Sequence, residues 1–280
     1  MKTDSAGVRG TSGRARVVAV RDGRATERAD RLATEEPMEI RAAGPGQEPV
    51  SVAVTMRTPG NDFELAAGFL FTEGLVDAGD VGRISYCDTL EGDQDYNVVT
   101  VRTRGAFRTP ASRQFFAASS CGICGKASLD QVEVRCPQLP PGPVVARSVV
   151  TSLPDALARR QKVFDATGGL HAAGLFDETG QPIAVREDVG RHNAVDKLVG
   201  ARVLAGEVPL SGSVLMVSGR VGFEILQKAA VAGIPIVCAV SAPSTLAVDA
   251  AERLGVTLVG FLRGESFNVY AHPERSDLDG

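Results

Sequence analysis

The chain has 280 residues, of which 44% are hydrophobic and 23% are charged, and its formal net charge at pH 7 is −4. This composition is typical of a soluble globular protein with one large or two smaller domains, and the negative charge argues against a nucleic-acid partner. Five irregularly spaced cysteines exclude a secreted disulfide framework, and no apolar run reaches the roughly 20 residues that cross a bilayer. Without a signal-peptide core at its N-terminus, the sequence predicts a cytoplasmic protein with no membrane partner.

The first predicted elements follow an Arg-, Gly- and Ser-rich stretch. We expect residues 1–30 to be a disordered tail. In residues 31–110, apolar residues alternate with polar ones around 38–42 and 50–56, which predicts two strands with a Gly/Pro hairpin loop between them. A helix begins at Asn61 or Asp62 and ends at Gly74, and two more strand candidates follow. This order predicts a small α+β domain.

The proline cluster at 137–143 is typical of a linker, so residues 111–149 are predicted to hold a cysteine-bearing loop and a domain boundary. In residues 150–280 helices and strands alternate, beginning with a helix that Ser152 caps and that continues through Phe164. The continuous apolar runs at 214–217 and 234–240 are typical of strands buried on both faces. The predicted fold class is therefore α/β, with a C-terminal three-layer domain and a smaller N-terminal α+β domain.

Two cysteines, Cys121 and Cys124, lie in a run of small residues that leaves a thiol reachable. Lys126, or Arg113 if the loop folds back, could lower the pKa of such a thiol. Four interpretations compete: incidental thiols, half of a zinc site, a thioredoxin-like redox pair, and a nucleophilic or sulfur-carrying cysteine with a neighbour that resolves it. The other cysteines are scattered singly and no βαβ unit surrounds the pair, so the sequence favours the fourth interpretation.

Three Arg- and Gly-containing segments are predicted at the carboxyl ends of strands: 186–193, 218–220 and 263–266. Ligands of open α/β sheets bind at this edge, and arginine forks with free backbone N–H groups suit phosphate oxygens. The segments therefore predict a phosphorylated or nucleotide ligand, although each arginine could simply pair with a nearby acid, as Arg186 could with Glu187 or Asp188. The candidate ligand-binding residues outside the last segment are Arg191, His192, Ser218, Gly219 and Arg220.

The two histidines near these segments, His171 and His192, could be general acids or bases, or ordinary residues at the start of a strand and a helix. A zinc-dependent deaminase would carry H-x-E, but residue 194 is Ala, and no P-C-x-x-C opens the predicted helix at Phe223. We therefore expect no deaminase zinc site and no permanently bound metal.

Beyond the first thirty residues, the chain resembles the formate dehydrogenase accessory sulfurtransferases, the FdhD family. The resemblance rests on a combination of motifs that is highly specific, although each motif alone is weak. The matching stretches are TMRTPG at 55–60, ELAAGFL at 64–70, the Cys121/Cys124 loop, GLHAA at 169–173, REDVGRHNAVDK at 186–197, SGR at 218–220 and GFLRG at 260–264.

This resemblance implies a cytidine-deaminase-like fold for the second domain, a homodimer, and an enzyme that transfers sulfur. Sulfur would pass from a cysteine desulfurase through a persulfide on Cys121, helped by Cys124, to the molybdenum cofactor in its bis(molybdopterin guanine dinucleotide) form. The sulfurated cofactor would then enter apo formate dehydrogenase. The family's cofactor-binding segment matches Phe261, Leu262, Arg263, Gly264, Glu265 and Ser266.

Two other functions remain open from the sequence. One is a non-catalytic chaperone that binds the cofactor and the apo-enzyme, with incidental cysteines. The other is a deaminase-type nucleotide-modifying enzyme, which the missing Glu disfavours.

Overall fold

A five-stranded sheet forms the centre of the first half of the protein. The computed structural model describes residues 10–86, 96–108, 115–116 and 136–277. The strands are β3 (Glu36–Ala43), β4 (Val50–Arg57), β5 (Val81–Tyr86), β6 (Val98–Thr103) and β7 (Phe115–Phe116), in the order β5-β6-β3-β4-β7. Helix α1 (Asp62–Thr72) contacts β5 and β6, and its predicted apolar stripe is buried. The predicted order of strands and helix in this half is confirmed.

A six-stranded sheet forms the centre of the second half, with the order β10-β9-β11-β12-β13-β14. Its strands are β9 (His171–Asp177), β10 (Pro182–Asp188), β11 (Ser213–Val217), β12 (Ile236–Ala239), β13 (Thr257–Arg263) and β14 (Ser266–Ala271). Because β9 is antiparallel to both β10 and β11, and β11, β12 and β13 are parallel, four strands share one direction. The carboxyl ends of these four strands therefore lie at one edge of the sheet.

Helices cover both faces of this sheet. They are α2 (Arg147–Ala158), α3 (Lys162–Thr167), α4 (Arg191–Ala205), α5 (Phe223–Val231) and α6 (Thr245–Leu254). Helix α2 packs on one face, where Leu153 and Leu157 join Phe176 and Met216 in a small core. The other face packs against α4, α5 and α6 in a larger core. The α/β fold class with three layers is confirmed, and the likeness to cytidine deaminases stays a prediction.

Two short strands, β8 (Val145–Ala146) and β15 (Ser276–Asp277), pair in parallel and bring the C-terminal end against the start of α2. In the part of the chain that the structure describes, no helix has the length and apolar character that crossing a membrane requires.

The prediction of a disordered tail up to residue 30 is wrong from residue 12 onward. Strands β1 (Ser12–Arg21) and β2 (Arg24–Ala33) form an antiparallel hairpin in unbroken register. The turn is Asp22-Gly23, with φ of 50° and 75°, which is the turn that matches the twist of two-residue hairpins. The Asp-Gly pair was a usable signal, but the arginine-rich composition on both sides concealed it. We call residues 12–33 the arm.

The predicted helix from Ser152 through Phe164 is also different in the structure. Helix α2 begins five residues earlier, at Arg147, and the chain breaks before α3 begins at Lys162. Ser152 lies inside α2, where its hydroxyl donates to the carbonyl of Val149 at 2.7 Å, and therefore does not cap the helix. As predicted, a glycine ends the helix: Gly168 follows the last residue of α3 and has the left-handed φ of 67°.

The two halves are joined by a close contact between α1 and α4. A Cβ at Gly68 would lie 1.8 Å from the backbone oxygen of Asp196, and one at Gly200 would lie 1.8 Å from that of Glu64. Only glycine at both positions permits this approach. One hydrophobic core runs through both halves, from Met38 to Ala271. The division into domains at 31–110 and 150–280 therefore stays a prediction.

Candidate functional site

Charged and polar side chains gather at the edge of the six-stranded sheet where β10 and β11 end. They come from the end of β10, the start of α4, the start of β9, the turn after β11 and the first turn of α5. We call this set the sheet-edge cluster: Asp188, Arg191, His192, His171, Arg220 and Glu224.

The turn between β10 and α4 is fixed by a fully buried carboxylate, Asp188. Its Oδ1 accepts hydrogen bonds from Gly190 N at 2.8 Å and Asn193 Nδ2 at 3.0 Å. Its Oδ2 accepts from Thr58 N at 3.1 Å and lies 2.7 Å from Lys197 Nζ. A buried carboxylate with four such partners is satisfied, and it holds the start of α4 against the first half of the chain.

The same contact includes further bonds between residues 55–60 and 186–197. Asn193 Nδ2 also donates to Met56 O at 2.7 Å, and Thr55 Oγ1 lies 3.2 Å from Asn193 Oδ1. Lys197 Nζ donates to Thr58 O at 2.7 Å. We call this contact between the two halves the seam. The motifs at 55–60 and 186–197, which both carry the resemblance, therefore contact each other directly. This contact positions Arg191 and His192.

Arg186 does not pair with Glu187 or Asp188, contrary to one of the two interpretations of this segment. Its Nη2 donates to Glu64 Oε1 of α1 at 2.7 Å. Glu187 instead accepts from the backbone N–H groups of Val163 and Phe164, at 3.0 and 2.8 Å, at the start of α3. Arg186 is thus a structural link to the first half and is not free to bind a ligand.

His192 lies against an acid that sequence reasoning did not identify. Its Nε2 is 2.8 Å from Glu224 Oε2, in the first turn of α5. The close contact with His192 lowers the pKa of Glu224 and outweighs the effect of burial. Nothing in the sequence marks this pair, because the two residues lie 32 positions apart and meet only when α4 and α5 pack.

His171 lies beside the arginines of the cluster. Burial lowers the pKa of His171, and electrostatic interactions with Arg191, His192 and Arg220 lower it further. Gly219 approaches it closely, since a Cβ there would lie 3.2 Å from His171 Nδ1. At neutral pH His171 is therefore an uncharged imidazole, able to donate one hydrogen bond and accept another.

The arginines of the cluster have unused donors. Arg191 Nε is buried and has no hydrogen-bond partner among the described residues, and the side chain of Arg220 is exposed. Arg191 is the first residue of the 15-residue helix α4, where the helix dipole favours a negative charge, and Arg220 lies three residues before the start of α5. The arrangement is chemically suited to an anion such as a phosphate group.

Ser218 has a structural role in this turn. Its Oγ accepts from Ala172 N at 2.9 Å, and its N–H donates to Ala172 O at 3.0 Å. These two bonds continue the pairing of β11 with β9 past the last residue of the strand. They fix the position of Gly219 and Arg220, which follow.

The predicted segment 261–266 lies at the same edge, two strands from β11, or about 10 Å. Phe261 has φ of 53° and its side chain is 43% exposed, a combination unusual for an aromatic residue. Leu262 is buried in the core, so only its backbone is available to a ligand, whereas the side chains of Arg263, Glu265 and Ser266 are exposed. Gly264, with φ of 53°, forms the turn.

A segment that the sequence did not single out, residues 241–244, connects the two parts of the edge. Val221 N donates to Ala242 O at 3.3 Å, and Ser244 N donates to Val221 O at 3.0 Å. On its other side, Ser241 O accepts from Phe261 N at 3.2 Å. The structure therefore places all three predicted segments on one continuous edge, with 241–244 between the last two.

The Cys121–Cys124 pair, with Lys126, Arg113 and Cys87, lies outside the described residues. Two cysteines are described, and both are buried and free: Cys136 and Cys238. Burial raises the pKa of Cys136 to about 11 and that of Cys238 to about 12. At neutral pH these two thiols are protonated, and neither is a nucleophile. Within the described ranges, no three His, Cys, Asp or Glu side chains come together as a metal site would require.

Comparison with known proteins gives one consistent family. The model of the FdhD/NarQ family matches residues 33–277. A protein of Streptomyces coelicolor named sulfur carrier protein FdhD is 54% identical over 274 residues, which cover 95% of each chain. One of Mycobacterium tuberculosis with the same name is 50% identical over 259 residues, covering 89% of this chain and 92% of the relative.

Among solved structures, a crystal structure described as a formate dehydrogenase accessory protein from Desulfotalea psychrophila has a similar fold. Its TM-score is 0.76 at 26% identity, and the match covers 95% of this chain and 99% of that chain.

Proposed function

Because this chain belongs to the FdhD/NarQ family, we propose that it is a sulfur carrier that serves a formate dehydrogenase. The observation that carries the proposal is the 54% identity, over 95% of both chains, to a relative named a sulfur carrier protein. A carrier needs a thiol that becomes a thiolate near neutral pH. Cys136 and Cys238 are unsuited because burial raises their pKa values, which leaves Cys87, Cys121 and Cys124. Of these we take the closely spaced pair Cys121 and Cys124 as the candidates, because their loop is one of the motifs that resemble the family.

We propose Cys121 as the residue that carries the sulfur. Its thiolate attacks the outer sulfur of a persulfide on a cysteine desulfurase, and the desulfurase cysteine leaves as a thiolate when the sulfur–sulfur bond breaks. The carrier then holds a persulfide, with no net oxidation in the exchange. Cys124 resolves Cys121 when no acceptor is bound: its thiolate attacks the inner sulfur of the Cys121 persulfide, the sulfur–sulfur bond breaks, hydrosulfide leaves, and a Cys121–Cys124 disulfide forms. In this role the protein is a persulfide-relay sulfurtransferase.

The proposed acceptor is the molybdenum cofactor in its bis(molybdopterin guanine dinucleotide) form, bound as a substrate. Its pyrophosphate groups suit the sheet-edge cluster, because Arg191 Nε lacks a partner among the described residues and Arg220 is exposed beside a helix N-terminus. The exposed Phe261, with Arg263 and Ser266, gives a second contact region along the same edge. Neutral His171 can donate to or accept from a phosphate or a guanine.

The proposed partners are a cysteine desulfurase as the donor, apo formate dehydrogenase as the recipient of the cofactor, and a second copy of this chain. The proposed location is the cytoplasm. The proposed units are an N-terminal α+β domain at 31–110, a linker at 111–149 that contains the cysteine pair, and an α/β domain at 150–280.

Intact-protein mass spectrometry tests the carrier role directly. The protein is incubated with a cysteine desulfurase and cysteine in the absence of reductant, and the bound sulfur is mapped by digestion. We expect a gain of one sulfur at Cys121 that disappears in Cys121→Ala. The Cys124→Ala variant is the matched control, because it removes a thiol three residues away and should still accept the sulfur.

No sulfur gain from a desulfurase that loads another acceptor would refute the carrier role and favour a cofactor-binding chaperone. The cofactor site is tested separately by the affinity for guanosine diphosphate. We expect Arg191→Gln to weaken its binding about tenfold or more, since a charge-assisted contact to phosphate is lost. Unchanged affinity would remove Arg191 from the site and leave the sulfur gain untouched.

A further inference from the structure

Most residues of the arm, a hairpin of two ten-residue strands, are exposed to solvent. Every residue from 21 to 29 is exposed, and Val18 and Val20 are 64% and 69% exposed. Directly paired residues share a face, so Val18, Val20 and Ala25 form an apolar patch near the tip. An isolated two-stranded hairpin is marginally stable in water. The arm therefore has a face that a partner would cover.

The charge of the arm is opposite to that of the rest of the protein. Residues 12–33 contain six arginines and three acids, a net charge of +3, whereas the remainder of the chain contains 24 basic and 31 acidic residues, a net charge of −7. At the tip, Arg21 lies opposite Arg24. Like charges facing each other are unfavourable unless an acidic partner approaches them.

The structure contains a cavity with complementary properties. It has a volume of about 480 Å³, is open on one side, and lies where α1, β6 and α5 end. Apolar side chains line it, including Phe71, Leu75, Phe107 and Val231, and two exposed acids stand at its rim, Asp77 and Asp80. Neither acid has a salt bridge to a described residue. The cavity thus combines apolar side chains with negative charge.

The base of a chain's own arm lies far from its own cavity. The arm enters β3 at its first residue, and the cavity lies at the far end of this strand, where Gly44 contacts Gly105 and Ala106. Eight strand residues span about 26 Å. The base of the arm packs instead beside α3, with Ala33 against Gly169, and no arm residue lines the cavity.

We propose that the tip of the arm of one copy docks in the cavity of a second copy, with Val20 against the apolar side chains of the lining and Arg21 and Arg24 paired with Asp77 and Asp80. Exchange in both directions gives a closed, two-fold symmetric dimer. This interface specifies how the proposed second copy is held, and it does not depend on sulfur transfer.

Sedimentation equilibrium tests the interface on the full chain. We expect the double variant Arg21→Glu/Arg24→Glu to raise the dimer dissociation constant about tenfold or more, because it places four acids together. Adding Asp77→Lys/Asp80→Lys should restore the wild-type constant. The matched control is Arg147→Glu/Arg159→Glu, which makes the same charge change at exposed positions of α2 and its end, and it should leave the constant unchanged.

Two results would overturn the proposal: a wild-type protein that stays monomeric at high concentration, or a dimer whose dissociation constant the arm variants do not alter. The second result would leave a dimer with another interface. Val20→Ser should also weaken the dimer, and circular dichroism checks that each variant is folded. Sulfur loading of the same variants separates this outcome from the carrier function, since a monomer that still gains sulfur at Cys121 keeps that function.

Discussion

The seam and the arm contain the same kinds of charged residues, but these residues are buried in the seam and exposed in the arm. In the seam and the adjoining α1–α4–α5 contact, charges are buried in pairs, such as Asp188 with Lys197 at 2.7 Å and Asp196 with Lys228 at 2.9 Å. In the arm, the one ion pair described, between Arg28 and Asp30, spans 3.5 Å and its side chains are 48% and 39% exposed. A buried charge is held in one position by its ion-pair partner, whereas an exposed charge remains available to another molecule.

Removing a buried cation from the α1–α4–α5 contact should have the largest effect. Burial disfavours the charge of Lys228, but the carboxylates of Asp196 and Glu73 raise its pKa. Its Nζ contacts Asp196 at 2.9 and 3.0 Å, Glu73 at 2.9 Å and Thr72 at 3.0 Å. We expect Lys228→Met to lower the free energy of unfolding by about 3–5 kcal/mol in urea denaturation, because buried acids lose their partner.

The control for this variant is Lys162→Met, since Lys162 is exposed at the start of α3, and a loss within about 0.5 kcal/mol is expected there. The double variant Lys228→Met/Asp196→Leu should recover part of the loss by removing one of the uncompensated acids. Equal losses in Lys228→Met and Lys162→Met would contradict the view that these buried pairs hold the two halves together.

A single methyl group at the helix contact should cost somewhat less. Gly200→Ala places a Cβ 1.8 Å from the backbone oxygen of Glu64, so α1 and α4 must separate. We expect a loss of about 3 kcal/mol, at the upper end for overpacking. Thermal unfolding compares it with Gly212→Ala, whose Cβ would meet nothing within 4 Å. Similar melting temperatures for the two variants would show that the helices can move apart freely.

The pH dependence of His171 gives a smaller effect at the sheet edge. Burial and the neighbouring positive charges lower its pKa from about 6.5. The unfolded chain therefore binds a proton on this histidine before the folded protein does, and stability falls as pH drops below about 6.5. We expect an NMR titration midpoint below that value, assigned by His171→Gln, with His272→Gln as the control. A midpoint above 6.5 would show that Asp188 affects the ring more strongly than burial and the arginines do.

Changes in the arm should have the smallest effect on stability. Val20→Ser at the exposed tip is expected to change the free energy of unfolding by less than about 0.5 kcal/mol.

Dilute protein should also be cut by trypsin within residues 14–31 before any arginine of the seam, because the arm's backbone is exposed. Cleavage at Arg57 or Arg186 before cleavage in the arm would show that the backbone of the seam is more accessible than that of the arm.

Much of the fold was predictable because local patterns agreed with the final structure. The buried strands β11 and β12 appear as continuous apolar runs at 214–217 and 234–240 of the sequence. The three segments at the sheet edge followed from the rule that parallel strands end together. Their grouping on one edge required only the correct strand directions.

Other features could not be predicted, because they depend on contacts distant in sequence. The pair His192 and Glu224 exists only once α4 packs on α5, and residues 241–244 gain their place by contacting both Val221 and Phe261. The early start of α2 also escaped prediction, because Pro154 suits the first turn of a helix that Ser152 caps, whereas α2 places this proline in the helix interior, where it is uncommon. In the arm, by contrast, Asp22-Gly23 is a local signal for a hairpin turn, but the surrounding arginine-rich composition is typical of a disordered segment.

The contact between α1 and α4 also limits how the gene can vary. A side chain at position 68 or 200 would meet the backbone of the opposite helix, not a side chain that a second mutation could shorten. A genetic selection that starts from a damaged Gly200→Ala allele should therefore return true revertants at codon 200 and few suppressors elsewhere. Both glycines are thus constrained together, and neither change can compensate for the other.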